Sequence, residues 1–382
     1  MIIFAHDHKL RYDNGIFFTQ GGLADNITQR YTSIYGDLTI ICRAISIKPD
    51  EKNLSRIENP SVRVNAVHSS SLVISGKDKQ KIRETVEKSD GVIVRLPSII
   101  GEEVFKCAKQ LKKPVLAEIV TCPWDSLWNH SLKGKVIAPV MWFKTRKSTK
   151  SADYVLYVTQ QFLQRRYPTN GINIGCSDVE LIDKKDNILE SRLESIDKKA
   201  ENSELILGTL ASLHTKFKGQ QYVMEAIAKL KSDGKKIKYR LAGGGDASYL
   251  HSVAKKLDIE DLIIWDGLVP HKDVFDWFAK LDLYIQPSEQ EGLPRALVEA
   301  MSRACPCAGS DVGGIPELLQ PEDIFKRSSW NSIYSYLKKI RKDKLKANAK
   351  HNYEKAQEYT KTSLAPIREK FYKDFKSYIE SR

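Results

Sequence analysis

Pro287-Ser288-Glu289-Gln290-Glu291-Gly292-Leu293-Pro294-Arg295-Ala296-Leu297-Val298-Glu299-Ala300-Met301 is the stretch whose reading decides the fold. The short apolar run 283–286 before it reads as a buried strand. Gly292 permits backbone angles that other residues resist, and Pro294 suits the first turn of a helix, expected over 294–302. The unpaired N–H groups and positive dipole at that helix start favour a phosphate, or the hydroxyls of a bound sugar. Glu291 stands just before the helix and Glu299 two turns inside it, eight positions on, so both carboxylates can enter one cleft at different depths. A carboxylate accepts two hydrogen bonds from a vicinal diol, as in a ribose or hexose. The plainer reading is one glutamate complementing the helix dipole and a second on the surface. On this segment alone both readings stand.

Outward from this segment the same alternation of apolar runs and amphipathic stretches covers nearly the whole chain. Strands are expected at 205–210, 238–242, 262–265, 283–286 and 305–309, and earlier at 2–5, 38–42, 62–66, 91–96, 115–120 and 154–159. Helices fall between them, most clearly at 23–35 and 102–111, the second ending on the basic stop Lys112-Lys113-Pro114. Such alternation is that of βαβ units and parallel sheets. At 382 residues the chain exceeds one ordinary core. The expected division is an α/β domain over 1–182, a linker over 183–204, a second α/β domain over 205–362 and a final amphipathic helix in 363–382. The linker expectation rests on the highly charged DKKDNILESRLESIDKKAENSE. Open α/β sheets bind ligands at the C-terminal ends of their strands, so the loops after strands carry the function.

With 41% hydrophobic and 29% charged residues the chain is neither disordered nor collagenous. No apolar run approaches the roughly 20 residues that cross a bilayer. The start, MIIFAHDHK, has no basic n-region, long apolar core or cleavage site, so a cytoplasmic protein is expected. Six cysteines form no C-x-x-C pair, and no metal site is expected. Cys305-Pro306-Cys307 reads as small buried residues beside a strand.

The 61 Lys and Arg exceed the 48 Asp and Glu, giving +13 and favouring anionic partners. The surplus is concentrated in residues 133–150, KGKVIAPVMWFKTRKSTK, with six basic residues and no acidic one. This stretch reads either as a peripheral contact with anionic membrane, at the inner face of the plasma membrane, or as a solvated loop whose apolar residues pack inward. No nucleic-acid module is recognisable, and no nucleic-acid partner is expected.

The E-G-L-P of 291–294 followed by A-L-V-E-A-M of 296–301 resembles the E-x7-E signature of retaining glycosyltransferases of the GT-B fold, most of all glycosyltransferase family 4. The resemblance spans the second half through Gly208-Thr209-Leu210, Lys218-Gly219, Leu241-Ala242-Gly243-Gly244-Gly245, Trp265-Asp266-Gly267, Asp282-Leu283, and Gly313-Gly314-Ile315-Pro316-Glu317. In the first half, Gly21-Gly22-Leu23, Arg30-Tyr31, Tyr157-Val158-Thr159 and Arg166-Tyr167-Pro168 look like enzymes of bacterial surface-polysaccharide assembly.

The resemblance implies an α/β GT-B architecture, two Rossmann-like α/β/α domains facing each other across a cleft, with the last helix packing back on the first domain. It implies transfer of a sugar from a nucleotide diphosphate donor to a hydroxyl of a lipid-linked saccharide, with retained configuration, in capsule, O-antigen or exopolysaccharide synthesis. No cofactor beyond the donor substrate is implied. Glu299 would hold the ribose hydroxyls, and Glu291, with Gly292, Leu293 and Pro294, the donor sugar. Lys218 would neutralise the departing diphosphate. Leu268 and Val269 would flank the base, Gly243 would make a tight turn near the nucleotide, and the Gly22 backbone would reach the diphosphate from the first domain. Gly243-Gly244-Gly245 lacks the spacing of a dinucleotide fingerprint.

Asp125 and His130, in CPWDSLWNH, are the polar candidates on the acceptor side. In the front-face mechanism of such enzymes the leaving phosphate takes the acceptor's proton, so no dedicated base is required. No Asp-x-Asp stands at a suitable strand end, which fits metal-independent chemistry. Family members usually carry an Arg shortly before the Lys; here Leu210 to Phe217, LASLHTKF, has none, and Lys216 or His214 would substitute. A GT-B epimerase or hydrolase using the same donor cleft, and a non-catalytic GT-B binding protein, are the alternatives.

Overall fold

The computed structural model describes residues 1–21, 23–48, 51, 54–67, 74–128, 132–181, 187–200 and 203–382. They form two compact units, Met1–Cys176 with Ala365–Arg382, and Ser177–Leu364.

The first unit is built on nine strands: β1 (Ile2–Asp13), β2 (Ile16–Thr19), β3 (Leu38–Ser46), β4 (Ser55–Arg56), β5 (Val62–Val67), β6 (Gly91–Leu96), β7 (Val115–Ile119), β8 (Tyr154–Tyr157) and β9 (Ile172–Gly175). Seven of them run parallel in the order β5-β3-β1-β6-β7-β8-β9, while β2 pairs antiparallel with β1, and β4 with β2. Strands such as VLAEI in β7 are buried along their whole length, because helices cover both faces of a parallel sheet. The helices are α1 (Asp25–Tyr35), α2 (Gly76–Glu87), α3 (Ile99–Gln110), α4 (Pro123–Trp128), α5 (Leu132–Ser151) and α6 (Phe162–Arg166).

Of the two readings of the basic stretch, the solvated loop with inward apolar residues is not what forms: the stretch is helix α5, and its apolar residues do not all pack inward. Thr145, Ser148 and Thr149 are buried, with Thr145 Oγ1 and Ser148 Oγ donating to the Glu102 carboxylate of α3 at 3.2 and 2.6 Å. Val136, Val140 and Phe143 are exposed.

The second unit carries β10 (Leu205–Leu210), β11 (Ile237–Ala242), β12 (Ile263–Gly267), β13 (Leu283–Gln286), β14 (Cys307–Ser310) and β15 (Ile324–Phe325), all parallel, in the order β12-β11-β10-β13-β14-β15. Around them lie α7 (Ile188–Lys198), α8 (Gln220–Ser232), α9 (Ser248–Lys256), α10 (Val274–Ala279), α11 (Arg295–Ser302), α12 (Trp330–Lys338) and α13 (Lys342–Ala356).

Helix α7 occupies the middle of the stretch 183–204, where the charged composition suggested a linker. Ile196 joins the second core, and the buried Arg192 guanidinium donates to the carbonyls of Leu281 and Phe278 at 2.7 and 3.1 Å. Charged residues on the outer face of a helix hide a narrow inward stripe from a composition count.

The last helix, α14 (Lys361–Glu380), belongs to the first unit from Ala365 on. There Tyr372 and Tyr31 both donate to Glu118 Oε1 on β7, at 2.6 and 2.9 Å, and the Lys376 ammonium donates to the Ile34 carbonyl at 2.9 Å. The Glu118 carboxylate is buried, and two phenols supply the hydrogen bonds that water would otherwise give.

Candidate active site

In the second unit, strand order reverses at the neighbours β10 and β13, where ligands collect beyond the strand ends. Two loops meet there. The loop after β10 makes a single turn, Lys216–Lys218, and ends on Gly219 at φ +79°. A Cβ on Gly219 would lie 2.0 Å from the Pro287 carbonyl oxygen, so only glycine allows the loops to approach this closely. The Glu289 N–H donates to the Phe217 carbonyl at 2.8 Å, fastening the two loops together.

This fastening places Lys218 Nζ 2.7 Å from Glu291 Oε1. The same oxygen accepts from Ser288 Oγ at 2.7 Å and from Gln286 Nε2 at 3.1 Å. Gln286 is oriented in turn by the Tyr284 hydroxyl, which donates to its Oε1 at 2.7 Å. Three donors converge on Oε1, and Oε2 has no hydrogen-bond donor among the described residues. Lys218 thus lies beside an oriented carboxylate with one oxygen left over for a ligand.

Gly292 is held from behind. Its carbonyl accepts from the Gly314 N–H at 2.7 Å, and a Cβ on Gly313, at φ +58°, would lie 2.3 Å from the Glu291 carbonyl oxygen. Pro294 precedes α11 with no side-chain cap, which leaves the first N–H groups of α11 unpaired by any capping side chain. Glu299, on the same helix, is 8% exposed. Burial pushes its carboxyl above the usual range, with the charges of Arg295 and His271 pulling the other way.

On the other side of β10, three loops are laced together. Gly243 N–H donates to the Gly267 carbonyl at 2.8 Å, and Leu213 N–H to the Gly244 carbonyl at 2.9 Å. Gly243 adopts φ +143° and a Cβ there would lie 1.9 Å from the Ala211 carbonyl oxygen. Leu268 is exposed beside Gly244, and Val269 half-buried. His214 faces Ser212 Oγ at 2.8 Å, and the Lys216 ammonium lies 4.3 Å from the centre of the Tyr249 ring. Neither meets Glu291; that contact is made by Lys218.

In the first unit, Asp125 on α4 is ion-paired with Arg166 Nη1 at 2.5 Å, and the same nitrogen lies 2.9 Å from Cys122 Sγ. Gly22 and His130 lie outside the described residues. The first sheet reverses its order at β1 and β6. A register shift in β1 places His6, Asp7 and His8 at this point. The Asp7 carboxylate accepts from the Ile99 and Ile100 N–H groups at the start of α3, at 2.5 and 3.3 Å, and from Arg43 at 3.1 Å. Burial foremost, then the Arg95 charge, lowers the His6 imidazole to about 4, so it is neutral near pH 7. Sequence reasoning passed over these residues, although HDH directly after the first apolar strand was the available signal. Among the described residues no group of three His, Cys, Asp or Glu is arranged to hold a metal ion.

Residues 191–360 match the family described as "Glycosyl transferases group 1". The chain is 28% identical over 332 residues to "Protein CapJ" of Staphylococcus aureus, covering 85% of this chain and 82% of that one. It is 28% identical over 155 residues to the "Putative colanic acid biosynthesis glycosyltransferase WcaL" of Salmonella typhimurium, covering 39% and 38% of the two chains. The solved structure of Anabaena HepE "in complex with UDP and glucose" superposes with a TM-score of 0.64 at 15% identity, covering 98% of this chain and 99% of HepE. Residues 191–360 are therefore a group 1 glycosyltransferase domain, and the chain has the GT-B fold.

Proposed function

We propose that this glycosyltransferase moves a sugar, with retained configuration and without a metal ion, from a nucleotide diphosphate to a hydroxyl of a lipid-linked saccharide in bacterial surface-polysaccharide synthesis. The observation that carries the proposal is the Lys218–Glu291 pair at the strand reversal of the second sheet, eight residues ahead of the buried Glu299. Glu291 Oε2 and the Gly292 and Leu293 backbone take the donor sugar. Glu299 takes the ribose hydroxyls, and Lys218 neutralises the diphosphate as it leaves. Gly243 with Leu268 and Val269 borders the base. Charge stabilisation of the leaving group is the main catalytic term, and the departing phosphate receives the acceptor's proton.

The polysaccharide role is supported by the likeness to WcaL, and a uridine diphosphate donor by the likeness to HepE. A lipid-linked acceptor places the reaction at the inner face of the plasma membrane, in peripheral contact with its anionic surface.

The test is a panel of UDP-, GDP-, ADP- and dTDP-sugars, read by thermal shift and by nucleotide release with and without lipid-linked acceptor. Stabilisation by one nucleotide with acceptor-dependent release is the expected result. Release that ignores the acceptor identifies a hydrolase or epimerase instead, and no binding at all identifies a non-catalytic protein.

A further inference from the structure

Helix α5 turns apolar residues to both sides: Ala138 and Trp142 pack inward, and a second set points out. The inward side also carries the small hydroxyl residues Thr145, Ser148 and Thr149, satisfied in part by Glu102. The side it turns outward carries Val136, Val140 and Phe143, which are 76%, 53% and 65% exposed. These positions are four and three residues apart, so they form one stripe along the helix. Lys147 and Lys150 continue the stripe toward the C-terminal end, and Lys144 flanks it, all three exposed. No Asp or Glu stands between Asp125 and Asp153.

The helix is fixed at this angle by aromatic packing. Trp124 and Trp128 of α4 stack with ring centres 4.9 Å apart, and Trp142 of α5 meets Trp124 edge-on at 6.4 Å. Trp124 and Trp142 pack against the first core. The Lys135 ammonium lies 5.8 Å from the Trp128 ring and the Arg146 guanidinium 5.4 Å from that of Trp142. Trp128 remains partly exposed at the edge of the patch.

We infer that the outward face of α5 is a docking surface for an anionic lipid bilayer. Val136, Val140 and Phe143 enter the headgroup boundary, while Lys144, Lys147 and Lys150 meet lipid phosphates. Charge complementarity selects this occupant, since Lys144, Lys147 and Lys150, with no carboxylate on the helix, repel a second copy of the same face. An apolar stripe between lysines fits the boundary of a bilayer, where apolar side chains sink about 5–10 Å and basic ones stay at the phosphates. Among the described residues no helix is long and apolar enough to cross a membrane, so contact through this helix is superficial. The inference rests on the proposed lipid-linked acceptor for its purpose, and it is tested without acceptor or donor.

The experiment is co-sedimentation of the full chain with phosphatidylcholine vesicles, with and without phosphatidylglycerol. The expected result is binding to the phosphatidylglycerol vesicles only, weakened by salt. Val140→Ser with Phe143→Ser lowers that partitioning about tenfold or more. Lys144→Gln and Lys147→Gln each lower it about fivefold, the factor equivalent to roughly 1 kcal/mol per basic residue at an anionic surface. All these positions are exposed, so the variants keep the parent melting temperature. The inference is overturned if the parent chain stays in solution with both vesicles, or if the serine pair binds as the parent does. It is equally overturned if light scattering shows a dimer that Phe143→Ser dissolves. Vesicle binding with no nucleotide-sugar turnover leaves the docking surface standing and rejects the proposed reaction.

Discussion

Lys218 and Glu291 are 73 residues apart in the chain and 2.7 Å apart in space. The contact exists because Gly219 lets the loop after β10 lie against the Pro287 carbonyl. Lys218→Ala and Glu291→Gln are each expected to reduce acceptor-dependent nucleotide release roughly a hundredfold, the usual effect of removing one preorganised charge. Because the two side chains act as a unit, the double variant is expected to be little worse than the poorer single one. Steady-state kinetics on the four proteins measures this. Additive losses would mean that the pair does not act jointly.

Gly219 and Gly234 form a matched pair for a backbone test. Both have φ near +79°, at +79° and +77°, but a Cβ at 234 meets nothing within 4 Å whereas one at 219 meets a carbonyl oxygen. Gly234→Ala is expected to cost about 1 kcal/mol, the conformational term alone. Gly219→Ala is expected to cost roughly 3 kcal/mol or more and to abolish turnover, since the turn carrying Lys218 must move. Urea unfolding of both variants gives the comparison. Equal losses would show that the close approach to Pro287 is relieved at no cost.

Glu299 connects the proposed ribose contact to stability. Burial raises its carboxyl above the ordinary 4.5, so the folded chain holds that proton more tightly than the unfolded chain does. The associated stability is full below the unfolded value and is lost as pH rises through the folded one. Above the folded titration the fold therefore carries a buried carboxylate at a cost. Glu299→Gln is expected to melt at the same temperature as the parent or a few degrees higher at pH 7, with the advantage vanishing toward pH 4. The same variant is expected to bind nucleotide sugar at least about tenfold more weakly, a charged acceptor having been lost. Melting curves across pH and calorimetric titration test both halves, and a destabilised variant at pH 7 would contradict the first.

Tyr372 tests the attachment of the last helix. It shares Glu118 Oε1 with Tyr31, and burial pushes its phenol pKa up, with the Glu118 charge reinforcing the shift. Tyr372→Phe leaves the buried carboxylate one donor short and is expected to cost about 1–2 kcal/mol. Hydrogen exchange should accelerate in residues 365–382 before the rest of the first unit. Uniform acceleration would argue against separate release of this helix.

Much of the candidate site was legible because its residues lie in one run. Glu291, Gly292, Pro294 and Glu299 are consecutive or one helix apart, and strand-loop-helix chemistry is local. Lys218 became readable only through its family resemblance, since a Lys beside a Gly has no special signature. The helices α5 and α7, where a loop was one of two readings and a linker was expected, were hidden from composition. Composition counts charges but not the direction in which they point: α7 hides Arg192 and Ile196 behind a charged outer face, and α5 buries Thr145, Ser148 and Thr149 while Val136, Val140 and Phe143 stay outside.

The sequence by itself determined the parallel α/β architecture, because buried strands need unbroken apolar runs and those runs are separated by amphipathic stretches of helical length. It also determined the pair of glutamates, which share one short segment. Only the tertiary structure decided that Glu291 commits one oxygen to Lys218, Gln286 and Ser288, and that Asp125 is engaged by Arg166. It alone turned Val136, Val140 and Phe143 outward. These are meetings of side chains distant in sequence, or orientations relative to a core, and neither is encoded in the spacing of residues along a chain.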